Sequence, residues 1–332
     1  MAQAQLKHRV SDEMAEGKTK TVNARDLFGI DLDWQVPVLD TPDDHVPAID
    51  PHYHFDPDTT RAILAGFLHN RKVLIHGLHG TGKSSHIEQV AARLRWPLVR
   101  INLDGHVSRI DLIGRDIITL KDGKQVTEFF EGILPWAMQR QMALVFDEYD
   151  AARPDVMFVI QRVLEAQGKL TLLDQNRVIA PDSGFRLFAT ANTIGLGDAT
   201  GLYHGTNPIN QGQMDRWNIV VNLEHPTEAQ EIRIVLGHVP EFEKDEAGKQ
   251  LVRQMVILAG LTRQGFQHGD ISTLMSPRTI INWAENVLIF GDRDTAFRYS
   301  YLNKCDDAEK PILAEYYQRV FDVALPEMVM AT

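Results

Sequence analysis

The 332-residue chain sets 34 Lys and Arg against 45 Asp and Glu, a net charge of −11, and is 44% hydrophobic. That is enough apolar sequence for a substantial core and about two domains, while the acidic balance, without a Lys/Arg cluster, argues against a broad nonspecific nucleic-acid surface. The single cysteine, Cys305, rules out an internal disulfide framework or a cysteine-built zinc cluster, and no run of about 18 apolar residues is present to cross a membrane.

The polar start, residues 1–20, lacks the apolar stretch of a secretory leader, so a cytoplasmic location is expected. Up to residue 56 the chain reads as a small leading segment, with one short apolar patch at 33–39 and a Pro- and Asp-rich stretch after it. From Thr59, residues Ile63, Leu64, Phe67 and Leu68 recur at helical spacing and the apolar run Val73-Leu74-Ile75 follows, predicting a helix and then a strand. Further strand-like runs lie at 98–102, 143–146, 185–189 and 219–223, separated by helical patterns such as 85–94 and 156–166. Such alternation implies a parallel sheet with helices on both faces.

Two hairpins are expected to interrupt this order: 117–130, with Lys121-Asp122-Gly123-Lys124 at its turn, and 170–179, with Asp174-Gln175-Asn176 at its tip. After Pro226 the strands stop, and 227–236, 248–261, 277–290 and 308–325 read as helices of a smaller domain. The histidines, including His52 with His54 and the set His76, His79 and His86, show no spacing typical of a metal cage and read as packed or solvated; His52 and His54, one residue apart, would share a strand face and keep a metal contact open as the alternative.

Gly77-Leu78-His79-Gly80-Thr81-Gly82-Lys83-Ser84 matches the pattern G-x-x-x-x-G-K-[ST] and lies between a strand and a helix, where a phosphate-binding loop must lie. The glycines let backbone N–H groups converge on phosphates, and the helix N-terminus adds its positive dipole. Lys83 reaches the β- and γ-phosphates and the Ser84 hydroxyl ligates Mg²⁺. Gly77, His79, Gly80, Thr81, Gly82, Lys83, Ser84 and the following Ser85 are therefore the candidate nucleotide-binding residues, with ATP and Mg²⁺ as ligands.

The run Ala143-Leu144-Val145-Phe146-Asp147-Glu148 is a buried strand carrying two carboxylates at its C-terminal end, where α/β sheets bind ligands. Asp147 would hold Mg²⁺ through water, and Glu148 would polarise the attacking water. Asn192 ends another strand, where an amide beside the γ-phosphate can orient water without competing as a base. Arg216 precedes the last strand, and Arg278 follows Ser276-Pro277, an N-cap and a first-turn proline.

The order and spacing of these five elements resemble the AAA+ ATPases over roughly residues 57–295. The resemblance implies an α/β P-loop domain with a five-stranded parallel sheet at 57–225, a small α-helical lid at 226–332, and a separate leading segment at 1–56. It makes Asn192 the first sensor, Arg216 an arginine finger acting in a neighbouring subunit's site, and Arg278 the second sensor. The hairpins look like the helix-2 insert and the pre-sensor-1 hairpin of the MoxR and chelatase branch.

Closer still, the stretches 79–94, Val99-Arg100-Ile101-Asn102-Leu103-Asp104 and 106–114 are similar to the CobS subunits of aerobic cobaltochelatase. Members of that family are ring-forming ATPases. The resemblance implies a hexameric ring, a CobT-type partner with a von Willebrand A-type domain, and a large CobN-type subunit that inserts Co²⁺ into hydrogenobyrinic acid a,c-diamide in cobalamin synthesis. It implies neither nucleic acid nor membrane as partner. A MoxR-like chaperone maturing another metalloenzyme would share every motif, so it stands as the alternative.

Overall fold

The computed structural model describes residues 19–40, 42–193 and 207–326, so most of the polar start and the last residues of the chain lie outside it. The described residues form two units. One takes the chain up to Asp50 with Phe55–Gly77 and Lys83–Leu223, and the other takes Pro51–His54, Leu78–Gly82 and the chain from Glu224.

The first unit opens with an antiparallel hairpin of β1 (Thr19–Asn23) and β2 (Gln35–Leu39), an element the sequence reading did not foresee. Pro37 is tolerated in β2 because this two-stranded sheet has free edges. Between the strands, Asn23 caps the short helix Ala24–Phe28, which stops at Gly29 in the left-handed conformation. The segment is pinned to the helix Lys83–Leu94: Arg93 lies 4.5 Å over the Phe55 ring and donates to the Asp50 carbonyl at 2.8 Å. The Gln89 amide oxygen meanwhile accepts from the Asp50 N–H at 2.9 Å.

The five foreseen apolar runs form one sheet, β3 (Val73–His76), β4 (Leu98–Asn102), β7 (Ala143–Asp147), β10 (Arg186–Ala191) and β11 (Ile219–Asn222), in the order β11-β3-β10-β7-β4 with every neighbouring pair parallel. Their side chains alternate between two covered faces. On one, Leu74, Leu144, Phe146, Leu187 and Ala189 pack with Leu134, Val156, Ile160 and Val163 from the helices Ile133–Met138 and Pro154–Leu164. On the other, Phe188 packs against Phe67, with ring centroids 4.8 Å apart and planes tilted by 42°, and Phe67 meets Trp96 at 5.3 Å. Gly66 permits this, since a Cβ there would lie 2.7 Å from the Phe188 ring. Each such fully buried aromatic contributes about 1.5–3 kcal/mol.

Both hairpins exist. β5 (Gly114–Lys121) pairs with β6 (Lys124–Glu131) around Asp122 and Gly123, whose φ values of 53° and 73° match the twist of the flanking strands. It runs further in both directions than its apolar pattern suggested. β8 (Leu170–Leu172) and β9 (Arg177–Ile179) turn through Leu173–Gln175 and a left-handed Asn176.

The second unit is helical: Glu228–His238, Glu246–His268, Pro277–Phe290, Arg293–Ser300 and Lys310–Phe321. Asp245, Ser276 and Asp292 each cap a helix by accepting a backbone N–H. Arg293–Ser300 was not foreseen, because it is short and polar outside Ala296 and Phe297. Its core is aromatic, with Phe297 4.9 Å from Trp283 and 5.0 Å from Tyr317. Arg263 and Glu231 form a buried two-pronged ion pair at 2.8 and 2.5 Å. Arg263 also donates to the Met275 carbonyl at 2.9 Å, fixing the approach to Ser276 and the helix that carries Arg278. No helix among the described residues is long and apolar enough to cross a membrane.

Candidate nucleotide site

The carboxyl ends of β3, β7 and β10 bring four of the sequence-marked residues together. The Lys83 ammonium, 8% exposed, donates to the Gly77 carbonyl at 2.8 Å and to Asn192 Oδ1 at 3.0 Å. Burial pulls its pKa from 10.5 down to about 8, against the opposing pull of Asp147, Asp150 and Glu148. Beside it, the Ser84 hydroxyl donates to Asp147 Oδ1 at 2.6 Å. Arg100 of β4 sits 3.7 Å from the other Asp147 oxygen and 3.1 Å from Glu88.

Glu148 follows β7 with φ 55° and ψ 45°, a left-handed conformation that costs a non-glycine residue roughly 1–2 kcal/mol. Its backbone N–H donates to Thr190 Oγ1 at 3.3 Å. The geometry turns the residue sharply away from the line of β7, and its carboxylate makes no hydrogen bond or ion pair among the described residues.

Gly77, Gly80 and Gly82 all take positive φ, at 155°, 79° and 89°, values that L side chains seldom adopt. In the second unit, Thr81 is buried and its hydroxyl donates to the Leu78 carbonyl at 3.0 Å, tightening the loop. A Cβ at Gly80 would lie 2.5 Å from the Ser276 Cβ, so the start of the helix Pro277–Phe290 closes on the loop tip. His79 is exposed at that tip, Ser85 is half-buried in the helix Lys83–Leu94, and Arg278 is exposed.

Arg216 is not part of this cluster. Its Nε donates to Glu165 Oε1 at 2.9 Å and its Nη1 donates to the Gly212 carbonyl. Among the histidines, His86 is packed: its Nε2 lies 2.8 Å from Thr60 Oγ1 and its ring meets Phe55 edge-on at 5.5 Å. Among the described residues no group of three or more His, Cys, Asp or Glu could hold a metal ion.

Two residues were missed by the sequence reading. Thr190, 1% exposed, donates to Asp147 Oδ1 and accepts from the Glu148 N–H, so it ties both acidic positions to β10. The available signal was its place two residues before Asn192, on the same face of the strand. Asp150, also 1% exposed, accepts three hydrogen bonds from Asn192 and Thr193. Its signal was a third acid close behind Asp147 and Glu148.

Residues 72–203 match the AAA domain (dynein-related subfamily), and residues 19–46 match the N-terminal part of the cobaltochelatase CobS subunit. The aerobic cobaltochelatase subunit CobS of a Sinorhizobium species is 62% identical over 307 residues, which is 92% of each chain. The uncharacterized protein SH1500 of Staphylococcus haemolyticus is 22% identical, covering 72% of this chain and 86% of its own. Midasin of Dictyostelium discoideum is 32% identical over 154 residues, 45% of this chain and 3% of that one. A solved RuvB Holliday junction branch migration motor of Thermotoga maritima aligns at 14% identity over 73% of this chain and 65% of its own, with a TM-score of 0.45. With identity of 62% running through nearly all of both chains and a CobS-specific match at its leading hairpin, the chain belongs to the CobS family of aerobic cobaltochelatase subunits, whose AAA domain binds nucleotide.

Proposed function

We propose that this chain hydrolyses MgATP and that its turnover drives Co²⁺ insertion into hydrogenobyrinic acid a,c-diamide, as the motor subunit of aerobic cobaltochelatase. The observation that carries the reading is the convergence of Lys83, Ser84, Asp147 and Asn192, in a chain whose loop ahead of Lys83 has three positive-φ glycines. It occurs in a chain that shares 62% identity with an aerobic cobaltochelatase subunit. A MoxR-like chaperone would share the loop and the acidic pair, but the CobS-specific match at 19–46 favours the chelatase.

In this reading the N–H groups of Gly77, His79, Gly80, Thr81 and Gly82 cradle the phosphates, with Ser85 beside them at the start of the helix. The Lys83 ammonium exchanges its bonds to Gly77 and Asn192 for phosphate oxygens. Ser84 and Asp147 supply a hydroxyl and a carboxylate 2.6 Å apart, a hard oxygen set that fits Mg²⁺ completed by phosphates and water. When bound, the ion neutralises charge on the transferred phosphoryl group. Glu148, turned out of the strand with an uncommitted carboxylate, accepts a proton from the attacking water, and Asn192 orients that water.

Arg216 completes the site of the adjacent subunit in a homo-oligomeric ring, expected as a hexamer. The support is that its own bonds go to Glu165 and Gly212 rather than to its own cluster. Arg278 is the second nucleotide-sensing arginine. The metal and the corrinoid are substrates handled with a CobN-type large subunit and a CobT-type von Willebrand A-domain subunit. Capture of the tagged chain from native extract tests the partner assignment: CobN- and CobT-type subunits should come with it, and retention of neither, with an intact ring, contradicts it.

A further inference from the structure

Asp150 is a buried acid with no part in the chemistry assigned above. It lies two residues after Glu148 in the 3-10 turn Tyr149–Ala151. Its Oδ2 accepts from the Asn192 N–H at 3.0 Å, the Thr193 N–H at 2.8 Å and the Thr193 hydroxyl at 2.9 Å. Its own carbonyl accepts from the Asn207 N–H at 2.7 Å, and the Ala152 carbonyl accepts from the Asn207 side-chain amide at 3.4 Å. One turn attached to Glu148 therefore holds the chain where it leaves β10 and again at Asn207, shortly before Arg216.

The three donors all meet Oδ2, while Oδ1 is buried without a hydrogen-bond partner; bonds to an ionised acceptor are shorter and about twice as strong as neutral ones. Three donors on one oxygen fix the main chain at Asn192 and Thr193, and with it the direction in which the Asn192 side chain leaves the backbone. That side chain meets Lys83 Nζ at 3.0 Å. We infer that Asp150 is a positioning residue for ATP hydrolysis: it sets Asn192 against the phosphate end of the site and locks that setting to Glu148. The inference rests on the role given to Asn192 in the proposed function. Asp150 makes no hydrogen bond to Lys83, Asp147 or Glu148; its charge does act on the Lys83 ammonium, but that effect persists in the Asn192→Ala background, so a double-mutant cycle separates it from the effect carried by Asn192.

A double-mutant cycle on the full-length chain tests it, with kcat, KM for ATP, ADP affinity and thermal midpoint measured for Asp150→Asn, Asn192→Ala and the pair. Misplacing a site group by about 1 Å costs up to about 100-fold, so the isosteric Asp150→Asn is expected to lower kcat by about tenfold while ADP affinity is kept. In the Asn192→Ala background the same change should lower kcat little further, because the group it positions is gone. Full additivity, a wild-type kcat in Asp150→Asn, or an equal loss of ADP affinity overturns the inference.

If Asn192→Ala alone keeps a wild-type kcat, the reading of the site fails at Asn192 and the inference fails with it. A slow Asn192→Ala with full additivity removes the inference alone. Should Asp150→Asn not fold, Thr193→Val removes one of the three donors and leaves the main chain. It should give a smaller fall in kcat that Asn192→Ala masks, and no fall at all overturns the inference.

Discussion

The Lys83 ammonium donates to the side-chain oxygen of Asn192 at 3.0 Å, joining the end of the phosphate loop to the end of β10. In the proposed function the buried amine meets phosphate, and without that partner its charge is costly. Burial depresses its pKa from 10.5 to about 8. Below about pH 8 the folded chain holds an ammonium that the unfolded chain leaves solvated. Between about 8 and 10.5 the unfolded chain binds the proton that the folded chain has released, so stability rises with pH across that window. Lys83→Met should therefore raise the unfolding free energy of the nucleotide-free protein at pH 7, by up to about 3 kcal/mol. The gain should shrink as pH approaches 10. Denaturant unfolding of both proteins across this range checks it, and parallel pH profiles contradict it.

Lys83 and Glu148 should fail in different ways. Lys83→Ala is expected to abolish measurable ATP binding. Glu148→Gln is expected to keep binding and lose about 10²–10⁴-fold in turnover, the usual share of a general base. Equilibrium binding of a fluorescent ATP analogue, set beside steady-state hydrolysis, separates the two. Equal loss of affinity in both variants contradicts the division of roles.

For Arg216, the expectation is action in trans. Arg216→Ala should lower turnover by about 10³-fold or more without weakening ATP binding. Mixing it with Lys83→Ala chains should restore part of the activity at mixed interfaces, because one chain keeps an intact loop and the other an intact arginine. ATPase measured across mixing ratios, with assembly followed by light scattering, decides it. No recovery at any ratio in assembled rings contradicts action in trans.

The Arg263–Glu231 pair yields a stability prediction. Glu231 is 1% exposed and holds Arg263 through both oxygens. Glu231→Ala leaves a buried guanidinium charge uncompensated and should cost about 3–5 kcal/mol. The double replacement Glu231→Leu with Arg263→Met should recover most of that loss. Chemical unfolding of the three proteins checks the order. The single variant should also loosen the Met275 attachment ahead of the helix bearing Arg278.

The central sheet was legible because its inner strands β3, β7 and β10, buried on both faces, read as largely apolar runs, and the loop because its glycines take backbone angles that L side chains seldom adopt. Strand ends shifted by a residue or two, as for β10, which begins at Arg186 and continues to Ala191. The leading hairpin was not legible, since Pro37 weakens the strand pattern, and the attachment of the later Asp50 to Arg93 and Gln89 spans about 40 residues of sequence. Thr190 and Asp150 were passed over for a related reason. A buried hydroxyl or carboxylate gains its meaning from neighbours on other strands, and no local spacing reveals them. The same holds for Glu165, whose hold on Arg216 crosses 51 positions.

In the proposed function, turnover at this site drives metal insertion. Its most direct test is ATP-dependent Co²⁺ insertion into hydrogenobyrinic acid a,c-diamide by the chain reconstituted with CobN- and CobT-type subunits, comparing wild type with Glu148→Gln under saturating MgATP. Insertion is expected with the wild type and lost with Glu148→Gln, in parallel with its ATPase, although the variant still binds nucleotide and its partners. Insertion at the wild-type rate by Glu148→Gln, with hydrolysis shown to be absent, contradicts it.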